Sequence, residues 1–418
     1  MSQAIKAAPS RPDIQVTASS WLTPVRLRRQ AILLTAGLWL TYAVTISTPG
    51  LRDRFGQLKG VDFLQFYTAG SLALRGNLPH LYNLPAFTAE SVRRVSQATH
   101  VIFAPIYGPQ VAVLMAPLAM LPYGVALLMW TAVSAVIYAL VLRAVWRICP
   151  NLHQYRTTVL FAALGYPAFF NLIAHGQSSA LALACFAGAF FALRSQRPIL
   201  AGVAIGLLIY KPQLGLVSAV VFLSSGEWRT VLGAVVGVIA EISIGWLACG
   251  TRVMLEYGNV LRHLGDLAPM LQAKPYQMHS LMSFWKQILP SRFAQPAYAL
   301  TAACTIFLAC WIWRSPAPLP LRFAGLLLAT VLSSPHLYVY DLVILAPALL
   351  FLANWILGSA DAPRLGWWIY LAYALPLIGP ITRYTHVQLS VISFAVLLIH
   401  LTHAVVRTSS SPLSASAQ

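Results

Sequence analysis

Acidic side chains are almost missing: ten Asp and Glu stand against 28 Lys and Arg in 418 residues. No Asp/Glu pair has the spacing of a metal site, so no metal and no other cofactor is implied. Charged residues of both signs make up only 9% of the chain. A soluble domain carries about a quarter, so a soluble globular fold is excluded. Cysteine is equally uninformative. Cys149, Cys185, Cys249, Cys304 and Cys310 lie within or beside apolar runs, without metal-ligand spacing, and read as small buried hydrophobes. There is no Walker A loop, no GxGxxG and no HExxH, so nothing points to a nucleotide or a zinc protease.

What is present in their place is hydrocarbon. Hydrophobic residues make up 58% of the chain, and the mean hydropathy is +0.71. Stretches 31–47, 123–142, 230–249, 296–313, 338–357 and 386–406 are each near the length needed to cross a bilayer. The net charge of +18 does not form a nucleic-acid patch or stripe. Its residues sit in short loops: Arg26, Arg28 and Arg29, Arg143 and Arg147, Arg194 and Arg197, Arg229, Arg314, Arg364 and Arg407. That is the positive-inside pattern of a multi-pass protein of the plasma (inner) membrane. Residues 1–30 read as a cytoplasmic tail leading into a signal anchor, 31–406 as an all-α integral membrane domain of about 12 spans, and 407–418 as a Ser-rich cytoplasmic tail. No nucleic-acid partner is expected.

Two polar stretches interrupt this plan. Residues 50–103 read as a first outer loop with two short interfacial helices, the first ending at Gly76-Asn77 and the second opened by Pro85. Residues 251–295 read as a second large outer loop. The run 104–121 is broken by Pro105, Pro109 and Pro117, and positive-inside counting favours a re-entrant segment over a full span. The hairpins 157–193 and 199–224 use helices too short to cross alone, which predicts half-depth helices sheltered by protein around a cavity.

Polar residues inside such a chain need a reason. Lys211 stands between apolar segments, and Pro212 pushes it out of the helical region, so the helix breaks there and an ammonium faces a cavity. It reads as an anion site, most simply for a lipid phosphate, or else as a lysine snorkelling from a helix end. Asp62 opens the first loop helix and reads as a helix N-cap or a general base. Asp53, between Arg52 and Arg54, reads as a solvated ion pair. In 333–341, Pro335 breaks a helix so that His336, Tyr340 and Asp341 can point into one cavity. There Asp341 orients His336 or Lys211, or caps the next helix. Gln177 follows a tight turn at Gly176, and His279 lies in a loop able to contact an acceptor. Arg383 is a further cation at the end opposite the basic loops.

In order, Asp62-Phe63 with Tyr67, Ala69 and Gly76, then Leu81-Tyr82, Pro117-Leu118-Ala119 with Leu121-Pro122 and Trp130, Gly176-Gln177, Ala201-Gly202 into Lys211-Pro212, and Pro335-His336 before Tyr340-Asp341 resemble the polyprenol-phosphate-mannose-dependent alpha-1,2-mannosyltransferase family, glycosyltransferase family 87. The likeness covers roughly 60–345. It implies a C-type glycosyltransferase fold, a polyprenyl-phosphate sugar donor, a glycolipid or glycan acceptor, and transfer on the outer face of the membrane. It carries over Asp62 as the base and His336 near the donor phosphate or reacting hydroxyl. Lys211, with Arg383 and Tyr340, then holds the phosphate, and Gln177, His279 and Asp341 line the acceptor side or cavity. Leu337-Tyr338-Val339 departs from the His- and Trp-rich stretch of mycobacterial-type members, so the identity of the acceptor does not carry over. The competing reading is a multi-span transporter or lipid flippase, which shares broken helices and midplane ions. The halves of this chain show no convincing internal repeat.

Overall fold

The computed structural model describes residues 22–272, 274–359 and 363–410. Asp13, Asp361 and most of the two terminal tails lie outside them, and the side chains of Arg364 and Arg407 are likewise not described. Among the described residues the fold is all-helical, with two isolated bridges, Arg52 to Leu58 and Met278 to Tyr338, as its extended pairing.

Helix α1 (Pro24–Ile46) starts on Pro24 with Thr23 as its cap and takes in Arg26, Arg28 and Arg29, so it begins earlier than the apolar run alone suggests. Its last carbonyls are met by cations of the first loop. Arg54 Nε donates to Val44 at 2.7 Å, and Lys59 Nζ donates to Thr48 at 2.7 Å and Gly50 at 2.8 Å. Cations at a helix C-terminus oppose its dipole. Asp53 is therefore not in the expected ion pair. Its Oδ1 accepts from the backbone of Phe55 and Gln57, while Arg52 serves the Gly56 and Gln97 carbonyls. The first loop carries α2 (Phe63–Leu74) and α3 (Leu84–Arg94), close to the two short helices expected.

Helix α4 (Pro109–Ala119) has 11 residues, about 16 Å of rise, half a hydrocarbon core. Next come α5 (Tyr123–Arg147), α6 (Arg156–Leu164), α7 (Pro167–His175), α8 (Ser179–Arg194), α9 (Pro198–Gly206) and α10 (Pro212–Ser224). Helix α11 (Trp228–Arg262) is 35 residues long and broken at Gly250 (φ 81, ψ 165). The chain continues through α12 (Leu281–Ile288), α13 (Ser291–Arg314), α14 (Leu319–Ser333), α15 (Ala346–Leu357), α16 (Pro363–Ala374) and α17 (Leu389–Ser410). Among the described residues seven segments are long and apolar enough to cross a membrane, and five more apolar helices are too short to cross alone. The chain is thus a multi-pass membrane protein; of the region 157–224 expected as half-depth helices, the helices over 179–224 are too short to cross alone, whereas Pro150–His175 is long enough. Leu128, Val136 and Leu140 on α5, Leu232, Ile239 and Leu247 on α11, and Leu300 and Phe307 on α13 are exposed, as lipid-facing side chains are.

Lipid tails are as apolar as leucine, so helices here associate by close packing. Gly202-x-x-x-Gly206 on α9 meets Gly233-x-x-x-Gly237 on α11. A Cβ on Gly202 would lie 1.9 Å from the Thr230 carbonyl oxygen, one on Gly233 2.1 Å from that of Ile199, and one on Gly206 2.3 Å from that of Ala234. These are backbone atoms and cannot swing away. Gly202→Leu or Gly233→Leu should cost about 3 kcal/mol of stability by overpacking. Gly37→Leu, on α1 with nothing within 4 Å, should cost little. Thermal unfolding in detergent measures both, and equal midpoints would sink the claim.

Candidate functional site

Two glycine turns bring distant segments together. Gly60 (φ 61) and Gly176 (φ 68) adopt left-handed backbone that only glycine takes without strain. A Cβ on Gly60 would lie 2.3 Å from Leu127 Cδ1, and one on Gly176 2.8 Å from Phe63 Cβ. Each turn is held from α5: Tyr123 Oη donates to the Gly60 carbonyl at 2.8 Å, and Trp130 Nε1 donates to that of Gly176 at 3.1 Å. The end of α7 is thereby pressed against the start of α2.

Asp62 makes no side-chain cap to α2, so the N-cap reading does not hold. Its Oδ2 instead accepts from Gln177 Nε2 at 3.3 Å. Gln177 Oε1 accepts from the Ser178 backbone N–H at 2.9 Å, which turns the amide's NH2 end toward the carboxylate. Burial pushes the Asp62 carboxyl above the usual carboxylate range, opposed by the charges of His175 and Lys211 and by the Gln177 hydrogen bond.

Lys211 stands between the short helical turn Leu207–Tyr210 and α10, with φ −133 and ψ 69, at the break that Pro212 predicts. It is not a lone cation. Nζ donates to Asp341 Oδ1 at 2.8 Å and to Ser179 Oγ at 3.0 Å, and Ser179 Oγ donates to the same Oδ1 at 2.5 Å. Asp341 Oδ2 accepts from the Tyr338 backbone at 3.2 Å. Lys211 and Asp341 are buried, with side chains 4% and 3% exposed. Of the roles open to Asp341, the structure places it on Lys211 and as a cap for its own turn. The Tyr340 ring covers Lys211 Nζ at 5.5 Å and stacks on Tyr338 at 5.6 Å. His336 packs edge-on to Tyr338 at 5.2 Å, and its Nδ1 is buried with no hydrogen-bond partner. Burial lowers the His336 pKa, with Asp341 opposing and Lys211 reinforcing the shift.

Asp62, Gln177, Lys211, His336, Tyr340 and Asp341 therefore form one group, within electrostatic reach of one another. Two other sequence candidates stand apart. His279 is 1% exposed, with Nδ1 2.7 Å from Ser390 Oγ and its backbone N–H on the Leu337 carbonyl at 2.9 Å. It braces the 336–338 segment from behind, and burial pushes its pKa down to about 3. Arg383 is exposed on a separate short turn, Thr382–Thr385. Three residues beside the group were not among the candidates: Ser179, which completes the Lys211 pair; Tyr107, within electrostatic reach of Lys211, Asp341 and Asp62; and His175. Their signal was proximity to Gly176-Gln177 and to the broken run 104–121.

Comparison with known proteins gives two findings. The pattern of glycosyltransferase family 87 matches residues 106–335, more than half of the chain. The match includes Gln177 and Lys211 and stops short of Asp62, His336 and Asp341. The chain is also 23% identical over 283 residues to a polyprenol-phosphate-mannose-dependent alpha-(1-2)-phosphatidylinositol pentamannoside mannosyltransferase of Mycolicibacterium smegmatis. That alignment covers 64% of this chain and 66% of the relative, slightly under two thirds of its length. No solved structure matches.

Proposed function

The chain belongs to glycosyltransferase family 87, and from that premise we propose that it transfers a mannosyl residue from a polyprenyl-phosphate donor to a hydroxyl of a glycolipid or glycan. The coarse statement, a membrane glycosyltransferase acting on hexose, rests on the family. The donor and the sugar are drawn from the printed activity of the relative. The observation that carries the reading is the Gln177–Ser179 turn, which bonds the Asp62 carboxylate at one end and the buried Lys211 ammonium at the other.

The active site faces away from the cytoplasm. Arg194 and Arg229 lie at the ends of α8 and α11 remote from the Gly176–Ser179 and Lys211 turns, so positive-inside counting puts those turns on the outer side. The first loop, with Asp62, then lies outside as well. The donor is a phosphodiester with one negative charge, and it gains a second as C1 leaves. Lys211 Nζ and the His336 imidazole stabilise that developing charge, while Tyr340 walls the site and Gln177 holds Asp62 in place. Asp62 removes the acceptor proton as C1 takes on oxocarbenium character. Asp341 is committed to Lys211, Ser179 and the Tyr338 backbone, which leaves no second free carboxylate to form a glycosyl-enzyme. Transfer is therefore a single displacement with inversion.

The test is incubation of purified protein with radiolabelled polyprenyl phosphate sugars and a membrane glycolipid fraction. Labelled glycolipid should form from polyprenyl phosphate mannose. Absence of product from every donor would overturn the reading.

A further inference from the structure

The mechanism above leaves one titratable side chain of the site unused. His175 ends α7, and its Nδ1 lies 3.0 Å from the Asn171 carbonyl oxygen. A carbonyl only accepts, so Nδ1 carries the proton and Nε2 keeps a lone pair. The ring is half-buried, and its centroid lies 6.1 Å from that of Tyr340, whose ring also faces Lys211. Two residues on, Gln177 holds Asp62, and the intervening Gly176 presses on Phe63, next to Asp62. His175 and Asp62 thus flank one tight contact.

Each transfer leaves Asp62 protonated, and the base must be regenerated. The carboxyl is partly covered, and the His175 lone pair, two residues from the Gln177 that holds it, offers the proton an exit. Position favours the resulting imidazolium, because His175 sits at the C-terminal end of α7, where the helix dipole stabilises a cation. Titratable groups on the elements packed against α7 are Tyr340 and Asp341 on the Val339–Leu345 turn, Arg26, Arg28, Arg29 and Tyr42 on α1, Tyr123, Tyr138, Arg143 and Arg147 on α5, and Arg156 on α6; on the first loop Tyr67 stands one turn from Asp62. Lys211 reaches in across Tyr340.

We propose that His175 Nε2 takes the acceptor's proton from Asp62 after sugar transfer and releases it to the outer water. This rests on the transferase reading. In balance, the acceptor oxygen bonds C1 while the C1–O bond to phosphate breaks with its electron pair on the phosphate. The acceptor proton goes to Asp62, then to Nε2, and then to water, returning His175 to its starting tautomer. His175 is a positioning residue that acts through Asp62.

His175→Ala, which leaves room for a small base, is assayed alongside the native enzyme and His175→Gln. Both variants should lose about 10- to 100-fold in kcat, the usual scale of a positioned proton acceptor, with donor KM within about twofold. Added imidazole should restore His175→Ala but not His175→Gln. Full kcat in both variants, or a loss that imidazole leaves untouched, would overturn the relay. Should a variant not fold, His175→Asn is assayed in its place, and full kcat there overturns the proposal. A native enzyme that transfers from no donor takes the transferase reading down with it. An active native enzyme indifferent to His175 removes the relay alone.

Discussion

Asp62→Asn should abolish most transfer, by about 10²- to 10⁴-fold in kcat, the range expected for loss of a general base, while leaving the protein folded. The two halves of this expectation have separate grounds. Activity falls because the amide cannot take a proton from the acceptor. Stability holds because Asp62 makes no cap to α2 and its one side-chain bond, from Gln177 at 3.3 Å, is long. An N-cap aspartate would behave the other way, costing about 1 kcal/mol when removed. The pH profile carries the same argument further. The base works only when ionised, and burial raises its pKa, so kcat should fall on acidification above the range of an ordinary carboxylate. Gln177→Leu removes a hydrogen bond that favours the ionised form and should move that acid limb to still higher pH. A Tm loss with retained kcat in Asp62→Asn would return the residue to a structural role.

The sequence exposed the parts of this site whose cause is local. Pro212 breaks the chain after Lys211 wherever the fold places them, and the break is there. Gly176 before Gln177 signals a tight turn, and the turn is there. What could not be read was partnership across distance. Asp341 pairs with Lys211 over 130 positions, and nothing near Lys211 announces that its charge is already matched. His279 looked like a residue for substrate because it lies in a polar loop, yet tertiary packing buries it against Ser390. The shortness of the helices over 179–224 followed from helix length alone, while 157–175 belongs to a segment long enough to cross. The two GxxxG stripes of α9 and α11 are legible by the same logic, since small residues spaced by four mark helix contacts in membranes. Of the apolar segments, seven are long enough to cross and five are shorter among the described residues, because hydropathy registers apolar content and does not see where a helix stops.

Removing either partner of the Lys211–Asp341 pair should be more damaging to the fold than any other single change at the site. Both side chains are buried, and breaking such a pair leaves an uncompensated charge at a cost of about 3–5 kcal/mol. Lys211→Met strands the Asp341 carboxylate, and Asp341→Asn strands the ammonium, so each should lose much of its folded yield. Inactivity of either single variant therefore says nothing about phosphate binding. The double variant Lys211→Met with Asp341→Leu separates the two roles, because a well-packed apolar replacement of a buried ion pair is often neutral or stabilising. It should recover a Tm close to that of the native protein. Its kcat should nonetheless stay at least about 100-fold low, the scale of one lost stabilising group at a developing anion, because the leaving phosphate has lost its ammonium. A double variant that is both stable and fully active would show that the pair only locks the broken helix to the Val339–Leu345 turn. The phosphate would then have to be met by His336 and the backbone alone. The geometry argues against that outcome. Lys211 has three donor hydrogens, two of which are taken by Asp341 and Ser179, and a third remains for an anion.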